Sequence, residues 1–374
     1  MFLRTTLCYY THLRKAINIV SSCIVIIIIY YIIFKNNNVI ENNQTLSNIN
    51  DYNDNISINY IIKWLYKTNQ TNNLLNELNP NLINNWTNIT TTILSSIIEP
   101  SNQTRFRISS TKPEFKLYLH PPGDLLSDSF YKIGYWNDCK IHLSNINKHF
   151  GSNSSNNIVI IDVGANIGSC TLLFSSLGYK IYAFEPYREN YRLLSYSIIN
   201  NIHLDGEIIL ITAGTSNLKN ISEINIEIGN AGNNIVGSSI SNNDLLRIGG
   251  SGRNTKYIKN PIRLTTLDHI IKEHVHYMKM DCQGSELSTL LGAKELLDKY
   301  KIDVIAFEYT PSWIVTQKQN PIDLLILLDG YNYTIYRSIA RLRNYIIKKD
   351  DFISYTKQFE NNGRFEDLLA IRRK

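Results

Sequence analysis

The 374-residue sequence has few charged residues and no concentration of them. Asp, Glu, Lys and Arg make up 19% of the chain, and the net charge of +6 is small for this length. Because Lys and Arg are scattered rather than clustered, the sequence lacks the basic patch that a nucleic-acid-binding protein requires. We therefore expect no nucleic-acid partner.

Cysteine is also scarce, and its spacing argues against two kinds of site. The five cysteines form no CxxC pair and show no metal-ligand spacing. The histidines are not grouped with acids, so we expect no required metal ion. Only Cys139, Cys170 and Cys282 lie beyond the N-terminal region, where they can supply at most one disulfide. We favour the interpretation of these three as small buried residues over that disulfide.

One long apolar run lies near the N-terminus, at residues 17–34. This length is just enough to span a bilayer as a helix. Basic residues precede the run, whereas after Lys35 the next basic residue is Lys63. This asymmetry predicts a cytoplasmic tail at 1–16 and places everything after the run on the opposite side of the membrane. No small-x-small cleavage site follows, so we favour an uncleaved signal anchor over a signal peptide. The expectation is a single-pass type II membrane protein of the endoplasmic reticulum or Golgi.

Residues 35–104 are rich in Asn, Ser and Thr and poor in charge, and we interpret them as a stalk. Six of the nine glycosylation sequons fall there. A random sequence of this composition would hold roughly seven in all, so the total does not show glycosylation. The location of these six sequons is consistent with a luminal spacer, and it is almost equally consistent with Asn-rich sequence of no specific function.

From residue 105 to 374 the sequence alternates between short apolar runs and helix-length segments, which predicts one α/β domain. We predict strands over 158–161, 180–184, 207–212, 276–280 and 303–307, with helices over 169–177, 188–199, 285–300 and 322–328. Strand–helix–strand repetition gives a parallel sheet with helices on both faces, a Rossmann-like architecture. Segments 333–338 and 368–372 are expected to close it as an antiparallel pair.

A glycine-containing turn follows the first predicted strand. Residues 162–168 read DVGANIG, in which Gly164 and Gly168 allow a tight turn and leave space beside a ligand. Asp162 can orient this loop or accept a hydrogen bond from the ligand. In an open α/β sheet, ligands bind beyond the carboxyl ends of the central strands, where this turn lies.

The second predicted strand ends in Phe-Glu-Pro, which places Glu185 where it can accept both ribose hydroxyls of a nucleoside. The dinucleotide motif G-x-G-x-x-G is absent, because Asn166 stands where its second glycine would be. An adenosine without phosphates, such as S-adenosylmethionine, therefore fits better than NAD. We predict that the cofactor-binding residues are Asp162, Gly164, Asn166, Gly168 and Glu185.

These motifs continue along the chain in an order that resembles the FkbM-type methyltransferases, a branch of the Rossmann-like class I methyltransferases. The resemblance rests on DVGANIG at 162–168, AFEP at 183–186, LTTLD at 264–268 and KMDCQGSE at 279–286, and it covers about residues 110–374. It implies S-adenosylmethionine as the methyl donor and O-methyl transfer to a hydroxyl of a sugar, glycan or polyketide. The family usually has Glu where this chain has Gln283.

Methyl transfer from a sulfonium is an in-line displacement, so the protein must align the acceptor oxygen and can assist it with a base. Asp281, at the end of the fourth predicted strand, is the first candidate for that base. Glu308, at the end of the fifth, is the second, and Glu286 is the third. Asp281 can also act as a helix cap, and Glu286 as a first-turn residue that favours the helix dipole.

The glycine-rich segment 229–252 is expected to be a mobile lid or a disordered insertion. The favoured function is methylation of a hydroxyl on a glycan or other sugar-containing acceptor in the secretory pathway. One alternative is a cytosol-facing methyltransferase of small molecules or lipids. Another is an inactive nucleoside-binding or interaction module, which the departure at Gln283 would fit.

Overall fold

A computed structural model gives the structure of the protein, and it describes residues 104–151, 157–201, 203–227, 234–237, 257–337, 345–359 and 364–373. The predicted tail, membrane anchor and stalk lie outside these residues, as does most of the predicted lid. Within the described ranges, no helix is both long enough and apolar enough to cross a membrane.

The structure forms an α/β domain. Its strands are β1 (Arg105–Ile108), β2 (Lys116–Leu119), β3 (Val159–Val163), β4 (Lys180–Phe184), β5 (Glu207–Ile211), β6 (Gly214–Thr215), β7 (Asn220–Glu227), β8 (Ile235–Val236), β9 (Tyr257–Thr265), β10 (Val275–Met280), β11 (Ile302–Tyr309), β12 (Tyr333–Arg337), β13 (Ile346–Ile347) and β14 (Glu366–Arg372). Its α-helices are α1 (Leu125–Ile133), α2 (Asn137–Phe150), α3 (Ser169–Ser176), α4 (Arg188–Ile199), α5 (Leu267–Ile270), α6 (Glu286–Leu291), α7 (Pro311–Thr316), α8 (Pro321–Gly330) and α9 (Phe352–Lys357).

The main sheet has eight strands in the order β13-β12-β14-β11-β10-β3-β4-β5. Strands β11, β10, β3, β4 and β5 are parallel, while β14 and β12 run antiparallel to their neighbours. The predicted parallel sheet with a closing antiparallel pair is therefore confirmed. Strand β3 lies between β4 and β10, so the turn after it opens at the centre of the sheet.

The central strands form because they are rich in apolar residues and are covered on both faces. Successive side chains of a strand point to opposite faces, so Ile161 packs into one hydrophobic core and Ile160 into the other. Both side chains are fully buried. This two-sided burial fixes the register of β3 and with it the position of the turn that follows.

Three features of the fold differ from the sequence prediction or were not predicted. A second sheet, in the order β6-β9-β7-β8, lies between β5 and β10 in the chain, and the β1–β2 hairpin with α1 and α2 precedes the main sheet. The predicted helix over 285–300 is interrupted: α6 ends at Leu291, Gly292 caps it, and a π-helical turn follows at Leu296–Tyr300. A Cβ atom on Gly292 would lie 2.0 Å from the Ser216 carbonyl oxygen, so this tight packing excludes any larger residue.

The interpretation of all three domain cysteines as unpaired is wrong for two of them. Cys139 in α2 and Cys170 in α3 form a disulfide, with their Cα atoms 4.9 Å apart. Cys282 is free. The disulfide joins the helix before the main sheet to the helix that follows the glycine turn.

Candidate active site

A cavity of about 770 Å³, including space open to solvent, lies at the carboxyl ends of β3, β4 and β10. Its wall comes from the glycine turn, the end of β4, the start of the second sheet and the turn after β10. The lining residues are Leu126, Trp136, Val163, Gly164, Ala165, Asn166, Ser169, Cys170, Phe184, Glu185, Pro186, Asn190, Ala213, Gly214, Thr215, Ile224, Asn234, Val236, Lys279, Asp281, Cys282, Gln283 and Ser285. We call the part around Gly164, Asn166 and Glu185 the nucleoside end, and the part around Asp281 and Gln283, together with the neighbouring Glu308, the acceptor end.

The glycine turn requires its glycines for two different contacts. Gly164 has a φ of 74°, and a Cβ atom there would lie 1.9 Å from the carbonyl oxygen of Asp281. Gly168 has a φ of 92°, and a Cβ atom there would lie 2.2 Å from Leu194 Cδ1 in α4. The first contact lets β3 and β10 approach closely at the cavity, and the second lets α4 pack against the turn.

Glu185 holds the nucleoside end together from the tip of β4. Its Oε2 accepts a hydrogen bond from the Asn166 backbone N–H at 2.8 Å, and its Oε1 accepts one from the Tyr187 backbone N–H at 2.8 Å. The side chain is buried, and this burial raises the pKa of Glu185 to about 7, although the backbone hydrogen bonds oppose the shift. Each carboxylate oxygen has two acceptor positions, so Oε2 can still accept from a ligand hydroxyl.

Asp162 lies beneath the cavity rather than in its wall. It is fully buried, with Oδ1 accepting from Lys279 Nζ at 3.0 Å and Oδ2 from Thr171 Oγ1 at 2.7 Å. Lys279 also donates to the Gly164 carbonyl oxygen at 3.1 Å. Burial alone would lower the pKa of Lys279, but the carboxylates of Asp162 and Asp281 outweigh it and raise that pKa. The ion pair thus supports the glycine turn from below.

Lys279 is the residue of this network that sequence reasoning missed. Its position two residues before Asp281, on a strand that is mostly apolar, was the available signal, since a buried lysine needs a buried acid as its partner. Among the residues described in the cavity wall, Lys279 is the one with a basic side chain, and it is already paired. The wall therefore suits a ligand without phosphate groups.

The acceptor end gathers the three candidate acids, but only Asp281 lines the cavity. Asp281 is exposed, directly after β10. Gln283 Nε2 donates to Asp281 Oδ1 at 2.6 Å and to Glu308 Oε2 at 3.3 Å. Glu286 is fully buried under the same turn, where its Oε1 accepts from the backbone N–H groups of Cys282 and Gly284 at 3.3 Å. Burial raises the pKa of Glu286 to about 7.

Two further acids, Asp138 in α2 and Asp367 in β14, surround the acceptor end. Asp367 is the direct partner of Glu308 across the antiparallel β11–β14 pair. Burial, followed by the charge of Asp281, raises the pKa of Asp138 and of Glu308, the latter well above its ordinary value. The same causes raise the pKa of Asp367 to about 6. Each of these three carboxyls therefore lies within the electrostatic influence of Asp281.

No group of three or more His, Cys, Asp or Glu residues within the described ranges could hold a metal ion. The fit to a nucleoside is better. The nucleoside end offers a carboxylate, a close-packed backbone turn and apolar side chains from Val163, Phe184 and Ile224. These are groups that bind ribose hydroxyls and an adenine ring.

A search of curated proteins finds no match. Among solved structures, the chain is similar to magnesium protoporphyrin IX methyltransferase from Synechocystis PCC 6803 with bound SAM (9% identity, 63% of this chain and 80% of that chain, TM-score 0.33). It is also similar to an rRNA methylase from Streptococcus thermophilus (14% identity, 62% and 96%, TM-score 0.31).

The family comparison is more specific. The model of the methyltransferase FkbM domain matches residues 162–345, which begin at the acid of the glycine turn and include Glu185, Asp281 and Glu308. The family uses S-adenosylmethionine, so the cofactor expected from the sequence is confirmed at the level of the family. Residues 162–345 of this chain belong to the FkbM methyltransferase domain family.

Proposed function

We propose that the protein is an S-adenosylmethionine-dependent O-methyltransferase that acts on a hydroxyl of a glycan or other sugar-containing acceptor in the secretory pathway. The observation that carries the proposal is Asp281, an exposed carboxylate at the edge of the cavity with Oδ1 tied to Gln283. Its Oδ2 has no hydrogen-bond partner among the residues that the structure describes, so it can bind the acceptor hydroxyl.

The residues of the nucleoside end would hold the cofactor: Glu185 through the ribose hydroxyls, and the turn at Gly164 and Asn166 through backbone contacts. When bound, S-adenosylmethionine supplies a methyl group on a positively charged sulfur. Asp281 orients the acceptor hydroxyl and takes up its proton as the oxygen is methylated. The exposed carboxylate of Asp281 favours an acceptor that is neutral or positively charged over an anionic one.

The disulfide supports an oxidising compartment. Cys139 and Cys170 are buried, and disulfides persist in the secretory pathway but are rare in the cytosol. This agrees with the luminal orientation expected from the apolar run at 17–34. A membrane anchor and a luminal catalytic domain are therefore part of the proposal.

Transfer of a labelled methyl group tests the chemistry. The purified protein is incubated with tritiated-methyl S-adenosylmethionine and two matched sets of oligosaccharides, one neutral and one sialylated. We expect label in the neutral set, in a form that survives mild alkali, because methyl ethers resist the base that cleaves methyl esters. Alkali-labile label would contradict O-methylation of a hydroxyl, and folded protein that binds the cofactor but labels neither set would favour the inactive module.

Glycosylation of the stalk tests the orientation. The six sequons between residues 36 and 104 are modified only if that region enters the lumen. We expect endoglycosidase to increase the gel mobility of the full chain, and replacement of these six Asn residues by Gln to remove most of that shift. Unchanged mobility in both tests would favour the cytosol-facing enzyme.

A further inference from the structure

The turn after β10 holds Gln283 in an uncommon backbone conformation. Gln283 has a φ of 53° and Gly284 one of 93°, so two successive residues are left-handed. For a residue with a side chain this conformation costs about 1–2 kcal/mol. The turn cannot shift freely, because a Cβ atom on Gly284 would lie 2.9 Å from the backbone of Trp313. The conformation points the Gln283 side chain inward, where it is 9% exposed.

The Gln283 amide bridges two neighbouring parallel strands. A primary amide has two N–H donors on one nitrogen, and Gln283 Nε2 uses them on Asp281 Oδ1 at 2.6 Å and Glu308 Oε2 at 3.3 Å. The opposite orientation of the amide would bring Oε1 against a carboxylate oxygen. The two acids therefore favour the orientation in which Nε2 faces them. Gln283 Oε1 is buried and has no hydrogen-bond partner among the described residues.

The charge around Gln283 explains why an amide suits this position. Burial raises the pKa of Glu308 well above its ordinary value, and Asp281, Glu286 and Asp367 raise it further. A neutral donor joins Asp281 to Glu308 without adding charge. A carboxylate at position 283 would have no proton to donate when ionised and would repel both acids.

We propose that Gln283 is a positioning residue for methyl transfer, whose amide holds Asp281 and Glu308 as one hydrogen-bonded unit and leaves Asp281 Oδ2 directed at the acceptor. The inference rests on the proposed function, in which Asp281 orients the acceptor hydroxyl. Leaving a buried amide oxygen unpaired costs about 1–3 kcal/mol. The unpaired Oε1 is the consequence of turning Nε2 towards the acids.

The test is the pH titration of the Glu308 side-chain carboxyl, followed by carbon-13 NMR and assigned with Glu308→Gln. The variant Gln283→Met has nearly the same size but no donor. We expect it to move the Glu308 titration to higher pH, because the hydrogen bond that favoured the ionised form is lost. Gln283→Glu should move it further, because one more acid is added beside Glu308. The control is Gln319→Met, since Gln319 donates to Ser288 Oγ at 2.8 Å and also has an unpaired Oε1.

The transfer assay with neutral oligosaccharides gives the second measurement. We expect Gln283→Met to lower kcat about 10–100-fold and to change KM for S-adenosylmethionine less than about threefold, because it disturbs the base and leaves the nucleoside end intact. An unmoved Glu308 titration in folded Gln283→Met protein would overturn the inference. Equal shifts in Gln283→Met and Gln319→Met would also overturn it. Wild-type protein that binds no S-adenosylmethionine would instead contradict the proposed function.

Discussion

The two ends of the cavity are built in different ways. The nucleoside end comes mainly from one stretch of chain, residues 163–187, in which the carboxylate of Glu185 accepts from the backbone of Asn166 and Tyr187. The acceptor end comes from distant parts of the chain: Asp138 lies in α2, Asp281 follows β10, and Glu308 and Asp367 face each other across β11 and β14. Cofactor binding is therefore encoded locally, while the surroundings of the acceptor depend on the whole sheet.

The comparison predicts that changes at the two ends affect different steps. Replacing Asp281 by Asn should lower methyl transfer about 10²–10⁴-fold, the usual contribution of a general base. The Kd for S-adenosylmethionine should change less than about threefold. Kinetics and calorimetry on the same protein measure both quantities. The control is Asp303→Asn, which removes the ion-pair partner of His274 at the amino-terminal ends of β10 and β11, away from the cavity. This variant should leave methyl transfer unchanged. A large loss of cofactor affinity in Asp281→Asn would contradict the separation of the two ends.

Gly164 is where the two ends touch, so its substitution should damage both. In Gly164→Ala the new methyl group would lie 1.9 Å from the Asp281 carbonyl oxygen, at a φ of 74°. We expect the free energy of unfolding to fall by about 3 kcal/mol and S-adenosylmethionine binding to be lost. Gly330→Ala is the matched control, because a Cβ atom there meets nothing within 4 Å; its effect should stay within about 1 kcal/mol. Similar denaturation curves for the two variants would show that the close approach is not needed.

The disulfide joins the two ends through their helices, since Cys139 lies in α2 and Cys170 follows the glycine turn in α3. It closes a loop over a sequence separation of 31, and its removal should lower the free energy of unfolding by about 2–4 kcal/mol. Chemical denaturation with and without a reductant measures this. The reductant should lower the free energy of unfolding of Cys282→Ser protein as much as that of the wild type. It should not change the stability of the Cys139→Ser, Cys170→Ser double variant. Equal stability of oxidised and reduced wild type would contradict the assigned bond.

The smallest expected effect is the pH dependence of S-adenosylmethionine affinity, which concerns Glu185 at the nucleoside end alone. Glu185 has a pKa of about 7, so its ionised form predominates above that pH and is protonated below it. A carboxylate accepts ribose hydroxyls better than a carboxylic acid does. The affinity for S-adenosylmethionine should therefore rise about tenfold between pH 6 and pH 8. The pH dependence should vanish in Glu185→Gln. It should persist in Glu273→Gln, because Glu273 pairs with Lys180 at the amino-terminal end of β4, away from the cavity.

The sequence predicted well those elements whose signals are local. Strand β4 and helix α4 begin and end at the predicted residues, and β3 and β10 lie within one or two residues of their predicted bounds. A continuous apolar run marks a buried strand, and the turn residues at 164–168 mark where it ends. The roles proposed for Glu185 and Asp281 stay predictions, but the structure does place both residues in one cavity wall.

The features that the sequence did not reveal depend on contacts between distant segments. The pairing of Cys139 with Cys170 requires α2 and α3 to be adjacent, and connectivity cannot be read from spacing. The position of Asp162 beneath the wall follows from its buried bond to Lys279, which a list of polar residues does not show. Gln283 was identified only as a departure from the family pattern, and its two carboxylate partners appear when β10 and β11 are placed side by side.

Calorimetric titration of the purified protein with S-adenosylmethionine, and separately with NAD, tests the central claim most directly. The claim is that the cavity beyond β3 and β4 binds a nucleoside without phosphates. We predict binding of S-adenosylmethionine alone, weakened at least about tenfold by Glu185→Ala and unaffected by Glu273→Gln. Binding of NAD in preference, or no binding of S-adenosylmethionine by folded protein, would contradict the assignment of this cavity as the methyl-donor site.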